Sequence, residues 1–192
     1  VEFQNVLHEG IRGFCKARKD DHKKTSVIDL FADPAMVRNL KKNKLINIAT
    51  AVGLSDSRTD REKITDAVLG VSYITEQQSS GLWTGKTWRK IKEFINKKPQ
   101  LKENGGFDLV IARPVGGWRI GEKPPFSAPG PDHLYPPFEM QFIILSRMWE
   151  IVAKNGTLLI QMPQNSHNGT GLYVQQLKEA GFDVARFRPD RS

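Results

Sequence analysis

Val27-Ile28-Asp29-Leu30-Phe31-Ala32-Asp33-Pro34-Ala35 is the stretch on which the fold turns. Its apolar opening reads as a buried strand, and Asp33-Pro34 reads as an N-cap followed by proline at the first helical position. A strand that runs straight into a helix, with an acid near the strand's end, is the layout of nucleotide-type cofactor sites in α/β proteins. Such sites usually carry small residues in the connecting turn, so that backbone can approach the ligand. Here Phe31, Asp33 and Ala35 stand in that turn.

The pattern continues on both sides. Phe3, Val6, Leu7, Ile11, Phe14 and Cys15 recur at helical spacing, which predicts a helix over 3–20 that packs on the core. Strands are predicted at Ser26–Phe31, Leu45–Val52 and Val71–Thr75. A helix to about Lys42 and another over Thr59–Leu69, with Ile64, Val68 and Leu69 inward, separate them. Thr87–Lys97 reads as a helix with Trp88, Ile91 and Ile95 on one face and Arg89, Lys90 and Lys97 off it. Asn104-Gly105-Gly106 breaks the chain, and Phe107–Ala112 is apolar almost throughout, as in a parallel strand covered on both faces. Phe138–Ala153 is predicted as a deeply buried helix on the stripe Phe138, Phe142, Leu145, Trp149, Val152, ended by Asn155-Gly156. Then come a strand over Thr157–Met162, a helix over Leu172–Ala180 with Gly181 as its C-cap, and a last strand over Phe182–Phe187.

Six strands alternating with helices, without a repeat, predict an α/β fold: a doubly wound, mostly parallel sheet of six or seven strands. The expected domain organisation is an N-terminal helical segment, 1–25, on one α/β domain, 26–192. Ligands of such sheets bind beyond the carboxyl ends of the strands, at the point where strand order reverses.

Composition narrows the class. The 192 residues suffice for one domain with a sizeable core. One cysteine, Cys15, excludes an internal disulfide and reads as a buried thiol. No apolar run approaches the ~20 residues of a membrane span. No signal peptide is visible from Val1 onward, and an intracellular location is expected. Net charge is +8 and unevenly spread: Arg38–Lys44 has four basic residues and no acid, and Lys86–Lys102 has seven against Glu93 alone. Such clusters suit phosphate backbones, and equally the solvated face of a soluble helix.

Arg113–Pro137 holds seven of the eleven prolines and four of the glycines, after the predicted Phe107–Ala112 strand. Long connections of this kind are commonly lids or binding loops. Trp118, Phe126, His133 and Tyr135 lie on it, placed either to stack a planar substrate or to pin the loop to the core. His133 has no Cys or His at metal-ligand spacing, so no metal site is expected.

Over residues 26–188 the order of these phrases resembles class I S-adenosylmethionine-dependent methyltransferases, a Rossmann-like family. Asp29-Leu30-Phe31-Ala32-Asp33-Pro34-Ala35 resembles the family's first motif, frequently Asp-Leu-Phe-Ala-Gly-x-Gly in nucleic-acid methylases. Phe107-Asp108-Leu109-Val110-Ile111-Ala112-Arg113-Pro114 looks like the fourth motif. Asn155-Gly156-Thr157-Leu158-Leu159-Ile160 and Leu177-Lys178-Glu179-Ala180-Gly181-Phe182-Asp183-Val184 are similar to later phrases of the family.

The resemblance implies S-adenosylmethionine as cofactor, near Asp29, Phe31, Asp33, Gly53, Asp56, Glu76, Gln77 and Arg113. Substrate would lie near Pro114, Trp118, His133, Tyr135, Lys90 and Lys97. The departures are specific. Asp33 brings a carboxylate towards the cofactor's own carboxylate, Gly53 stands where the ribose-binding acid is usual, and Asp56 comes three residues late. Arg113 replaces the Asp or Asn that accepts a hydrogen bond from an amine, and a guanidinium cannot accept one. Two expectations remain: a methyltransferase acting on or binding RNA or DNA with weakened cofactor binding, or an inactive subunit of that fold serving nucleic-acid binding or assembly, with nucleic acid or a protein as partner. A dehydrogenase-like nucleotide binder ranks below both, because no Gly-x-Gly-x-x-Gly follows any predicted strand.

Overall fold

The computed structural model describes residues 2–20, 24–30, 34–53, 56, 58–75, 85–112 and 145–160, with Lys178 and Asp183 in addition. Among these residues the elements run in order α1 (Glu2–Asp20), β1 (Ser26–Leu30), α2 (Ala35–Lys42), β2 (Ile48–Gly53), α3 (Asp60–Leu69), β3 (Val71–Thr75), α4 (Gly85–Lys97), α5 (Pro99–Asn104), β4 (Phe107–Ala112) and β5 (Val152–Ile160). The strands form one all-parallel sheet in the order β3-β2-β1-β4-β5. Among the described residues it has five strands where six or seven were expected. The expected last strand falls outside the described residues except for Asp183, which is not in a strand, and Lys178 is helical.

Parallel strands need crossovers, and the crossovers bury both faces of the sheet. β1 and β4, at the centre, are buried at every position, which is why they read as unbroken apolar runs. The outer strands β3 and β5 are largely half-exposed and carry more polar residues. On one face Trp88, Ile91 and Ile95 of α4, Leu101 of α5, and Leu145, Met148 and Ile151 pack on Ile28, Leu30, Val52 and Val110. On the other, Ile11 and Cys15 of α1 and Met36, Val37 and Leu40 of α2 pack on Val27, Ala49, Ala51, Leu109 and Ile111. Burying each such large side chain is worth about 1.5–3 kcal/mol, so the two layers hold the sheet between them. Of the expected N-terminal stripe, the side chains of Phe3, Val6 and Leu7 lie outside the described residues.

The amino end of the sheet is tied by a buried polar cluster. Asp108 accepts from the Ser26 backbone N–H at 2.8 Å and from Ser26 Oγ at 2.7 Å, and it pairs with Arg18 at 2.8 Å. One carboxylate thus joins β4, β1 and α1.

Several local expectations are corrected. Pro34 sits at the N-cap position rather than the first helical one, and its carbonyl accepts the first helical bond, from Arg38, at 2.8 Å. Asp33 lies outside the described residues. β2 begins at Ile48, and the apolar Leu45-Ile46 is spent on the approach, where Ile46 is buried. Pro99 opens a separate short helix, α5, that was not foreseen; Gly105 ends it in the left-handed conformation, φ 75°. Gly106 follows against the Ile151 carbonyl, where a Cβ would collide with backbone.

The expected helix over Phe138–Ala153 is helical at 145–149 and ends there, with 138–144 outside the described residues. Trp149, expected inside, is 47% exposed, and Val152 belongs to β5. Asn155-Gly156 does not end a helix. Asn155, at φ 63°, bends β5, and the register jumps from Phe107↔Val152 to Leu109↔Thr157. The turn-forming chemistry of Asn-Gly is spent on a bulge.

α3 is corrected most. Ile64 and Val68 are 66% and 81% exposed, and Leu69 alone of the three packs against the core. The helix is rotated by two residue positions, about 200° at 3.6 residues per turn. Its buried residue is Asp66.

Candidate functional site

The chain leaves β1 towards β2 and β3 on one side and later returns to β4 and β5 on the other. Strand order therefore reverses between β1 and β4. Their carboxyl ends lie side by side, with Asp29 opposite Ile111 and Leu30 opposite Ala112. The Val27–Leu30 run and the stretch preceding Arg113-Pro114 are thus neighbours at the switch point. Asp29 is wholly buried there, also paired in register with Ala51 of β2. Phe31, Asp33, Arg113, Pro114, Trp118, His133 and Tyr135, which would complete a crevice, lie outside the described residues, as do Glu76 and Gln77.

At the neighbouring ends of β2 and β3 the described residues form a charged network. A Cβ on Gly53 would run into the Tyr73 hydroxyl, so the tyrosine occupies the space where a side chain at position 53 would start. The Arg58 guanidinium stacks over the Tyr73 ring, 4.4 Å from its centroid. Arg58 grips Asp56 with two bonds, Nε to Oδ1 and Nη2 to Oδ2, both 2.8 Å. Its remaining Nη1 donates to the buried Asp66 at 3.0 Å. Arg38 of α2 reaches the same carboxylate through Nε at 2.5 Å and Nη2 at 3.1 Å, and Glu62 through Nη1 at 3.1 Å. Glu62 in turn accepts from the Thr59 backbone N–H at 2.9 Å while Thr59 Oγ1 accepts from the Glu62 N–H, a capping box that starts α3.

These contacts set the charges. Hydrogen bonds from Arg58 hold the Asp56 carboxyl down at about 2. Glu62 is lowered first by the Thr59 backbone, then by the Thr59 hydroxyl and Arg38. Both arginines are raised, Arg38 chiefly by its bonds to Asp66 and Arg58 chiefly by its bonds to Asp56. The loop after β2 is therefore clamped to α3, and α3 to α2, through Asp66. Of the expected site residues Gly53 and Asp56 are brought together here, but each is already engaged by protein. Arg58, Asp66 and Tyr73 were not foreseen. Thr59-x-x-Glu62 is legible as a capping box, but nothing local marks Asp66 as the buried partner of two arginines.

Lys90 and Lys97 line an open pocket of about 340 Å³ between β3 and α4, with Tyr73, Ile74, Thr75, Glu93 and Phe94. Lys90 Nζ donates to the Thr75 carbonyl at 2.9 Å, at the carboxyl end of β3. The two basic clusters are not uniformly available. Arg38 is spent on Asp66 and Glu62, and Lys92 pairs with Glu150 at 2.6 Å.

Among the described residues no group of three or more His, Cys, Asp or Glu could hold a metal ion, and no helix is long and apolar enough to cross a membrane. No family model, curated protein or solved structure matches the chain.

Proposed function

We propose that this chain is an S-adenosylmethionine-dependent methyltransferase-like protein of the cell interior that binds or acts on nucleic acid and holds the cofactor weakly. The observation that carries this reading is the adjacency of the Asp29 and Ile111-Ala112 stretches at the switch point of a β3-β2-β1-β4-β5 parallel sheet. Ligands of open α/β sheets bind at that place. Nucleic acid is the preferred partner because the basic clusters 38–44 and 86–102 leave an excess of unneutralised lysine.

The described residues do not fit the ribose of that cofactor as they stand. Both Asp56 oxygens are bound to Arg58, and Tyr73 fills the space over Gly53. No catalytic step is therefore assigned. The same observation favours a second reading, a protein of this fold that has given up methyl transfer and serves as a nucleic-acid-binding or assembly subunit.

Calorimetric titration with S-adenosylmethionine separates the two. The first reading expects weak heats in the unaltered chain and stronger binding in Arg58→Gln, which frees Asp56. The second expects no heat in either. Tight binding by the unaltered chain, unchanged in Arg58→Gln, would overturn the account of the Asp56 clamp.

A further inference from the structure

The two basic clusters lie more than forty residues apart in sequence, and the fold brings their ends together. In a parallel sheet each crossover helix returns the chain to the amino end, so α2, α4 and α5 all finish there. Contacts on the same side define the place. The Lys41 ammonium donates to the Asn47 carbonyl, Asn47 N–H donates to the Thr25 carbonyl at 2.8 Å, and Gln100 Nε2 donates to the Lys24 carbonyl at 3.0 Å. Lys98, the N-cap of α5, is near enough to Lys41 that its charge lowers the Lys41 pKa, after the larger effect of burial.

Lys24, Lys42, Lys44, Lys98 and Lys102 are exposed and Lys41 half-buried, and none of the six has a carboxylate partner among the described residues. Helix C-termini attract lysine for their own sake, and that accounts for part of the cluster. Each helix C-terminus carries about half a negative charge and the N-terminus of α5 at Lys98 about half a positive one, so together the helix ends offset only about one of the six positive charges. The rest is like charge held together by the fold at a cost in repulsion. Arg38 and Lys92, in the same sequence clusters, are neutralised by acids; at this end the described acids are Asp108, which is taken up by Ser26 and Arg18, and the exposed Glu103, and neither pairs with any of the six lysines.

We propose that the amino end of the sheet is a docking ridge for a nucleic-acid phosphate backbone, built by Lys41 and Lys98 with Lys24, Lys42, Lys44 and Lys102 around them. This rests on the nucleic-acid reading above and refines it. The backbone is gripped at the end of the sheet opposite the switch point, so gripping and any chemistry use different surfaces. Lysines neutralising phosphates release counterions, and the affinity falls with salt in proportion to the number of contacts.

Fluorescence anisotropy with labelled 20-nucleotide single-stranded and duplex probes, across a salt series, tests the ridge. The unaltered chain is compared with the double variant Lys41→Gln/Lys98→Gln and with Lys86→Gln/Arg89→Gln at the other end of α4. Glutamine keeps the hydrogen-bonding side chain near Asn47, and thermal melts check that both variants fold. The expected result is a salt slope shallower by about 1.4–1.8 in the Lys41/Lys98 variant, two contacts at 0.7–0.9 each, and unchanged in the other. A slope change confined to the Lys86/Arg89 variant would overturn the ridge and leave the nucleic-acid reading standing. Binding of phosphatidylserine vesicles, but of neither probe, through Lys41 and Lys98 would overturn it in favour of a membrane surface. No binding of any probe by the unaltered chain would remove both the ridge and the nucleic-acid reading.

Discussion

Replacing Asp66 with Asn tests the network at the ends of β2 and β3 most directly, because one carboxylate serves two arginines. Asp66 is 1% exposed, and the Arg38 and Arg58 side chains are 16% and 13% exposed, so the cluster is poorly screened by solvent. Asparagine has nearly the same shape but one acceptor and one donor group. It can still accept from Arg38 Nε, while its amide N–H groups face the remaining guanidinium N–H groups. Removing one partner of a buried pair typically costs ~3–5 kcal/mol. Arg38 keeps Glu62 and Arg58 keeps Asp56, so the lower end applies, about 3 kcal/mol, because neither cation is left wholly unpaired. For a chain of this size that corresponds to a fall in Tm of roughly 6–12 °C. Urea titration gives the change directly, with circular dichroism melts as a second measure. Asp56→Asn is the internal control. Asp56 is solvent-exposed, and an exposed pair is worth about 0–1 kcal/mol. A cost for Asp66→Asn below about 1 kcal/mol, the range of exposed pairs, would refute the buried two-arginine role of Asp66. An equal cost for Asp56→Asn would refute it too.

Two further outcomes are expected. Asp108→Ala should destabilise the fold by at least about 2 kcal/mol, since it removes the acceptor of the Ser26 N–H and of the Ser26 hydroxyl proton and the ion-pair partner of the half-buried Arg18 at once, and amide exchange at Ser26 should speed up more than at Leu30. Burial raises the Cys15 thiol from 9.0 to about 11, which makes stability pH-dependent on the alkaline side. A folded-state pKa above the unfolded one gives a contribution fully present below pH 9 and lost as pH rises through about 11. Urea midpoints should therefore fall over that window in the unaltered chain and fall less in Cys15→Ala; equal falls would refute the assignment.

Much of the architecture was present in local pattern. The apolar runs Val27–Leu30 and Phe107–Ala112 marked the two central strands because a strand covered on both faces has no polar side to show. Trp88, Ile91 and Ile95 marked the buried face of α4 because three- and four-residue spacing suffices to aim a helix. The same rule failed for α3. The apolar pair Ile64 and Val68 was outbid by Asp66, whose partner Arg38 lies twenty-eight residues away on another helix. No window along the chain contains both halves of that pair. Asn155-Gly156 failed differently: its backbone preference was legible, but whether it would stop a helix or bulge a strand depended on β4 alongside.

Among the described residues the sequence by itself determined β1 to β4 and α1 to α4 in their order, since periodicity and turn chemistry act over a few residues; it missed α5 and the early start of β5 at Val152. The tertiary structure alone decided the rest. It turned the polar face of α3 inward, set Tyr73 and Arg58 upon Gly53 and Asp56, and separated neutralised from unneutralised charges within each basic cluster. It also brought Lys41 to Lys98. Apart from the Arg58–Asp56 pair, two residues apart, each of those depends on distances between residues far apart in the chain, and charge pairing and repulsion depend on distance in space, which the linear order does not specify.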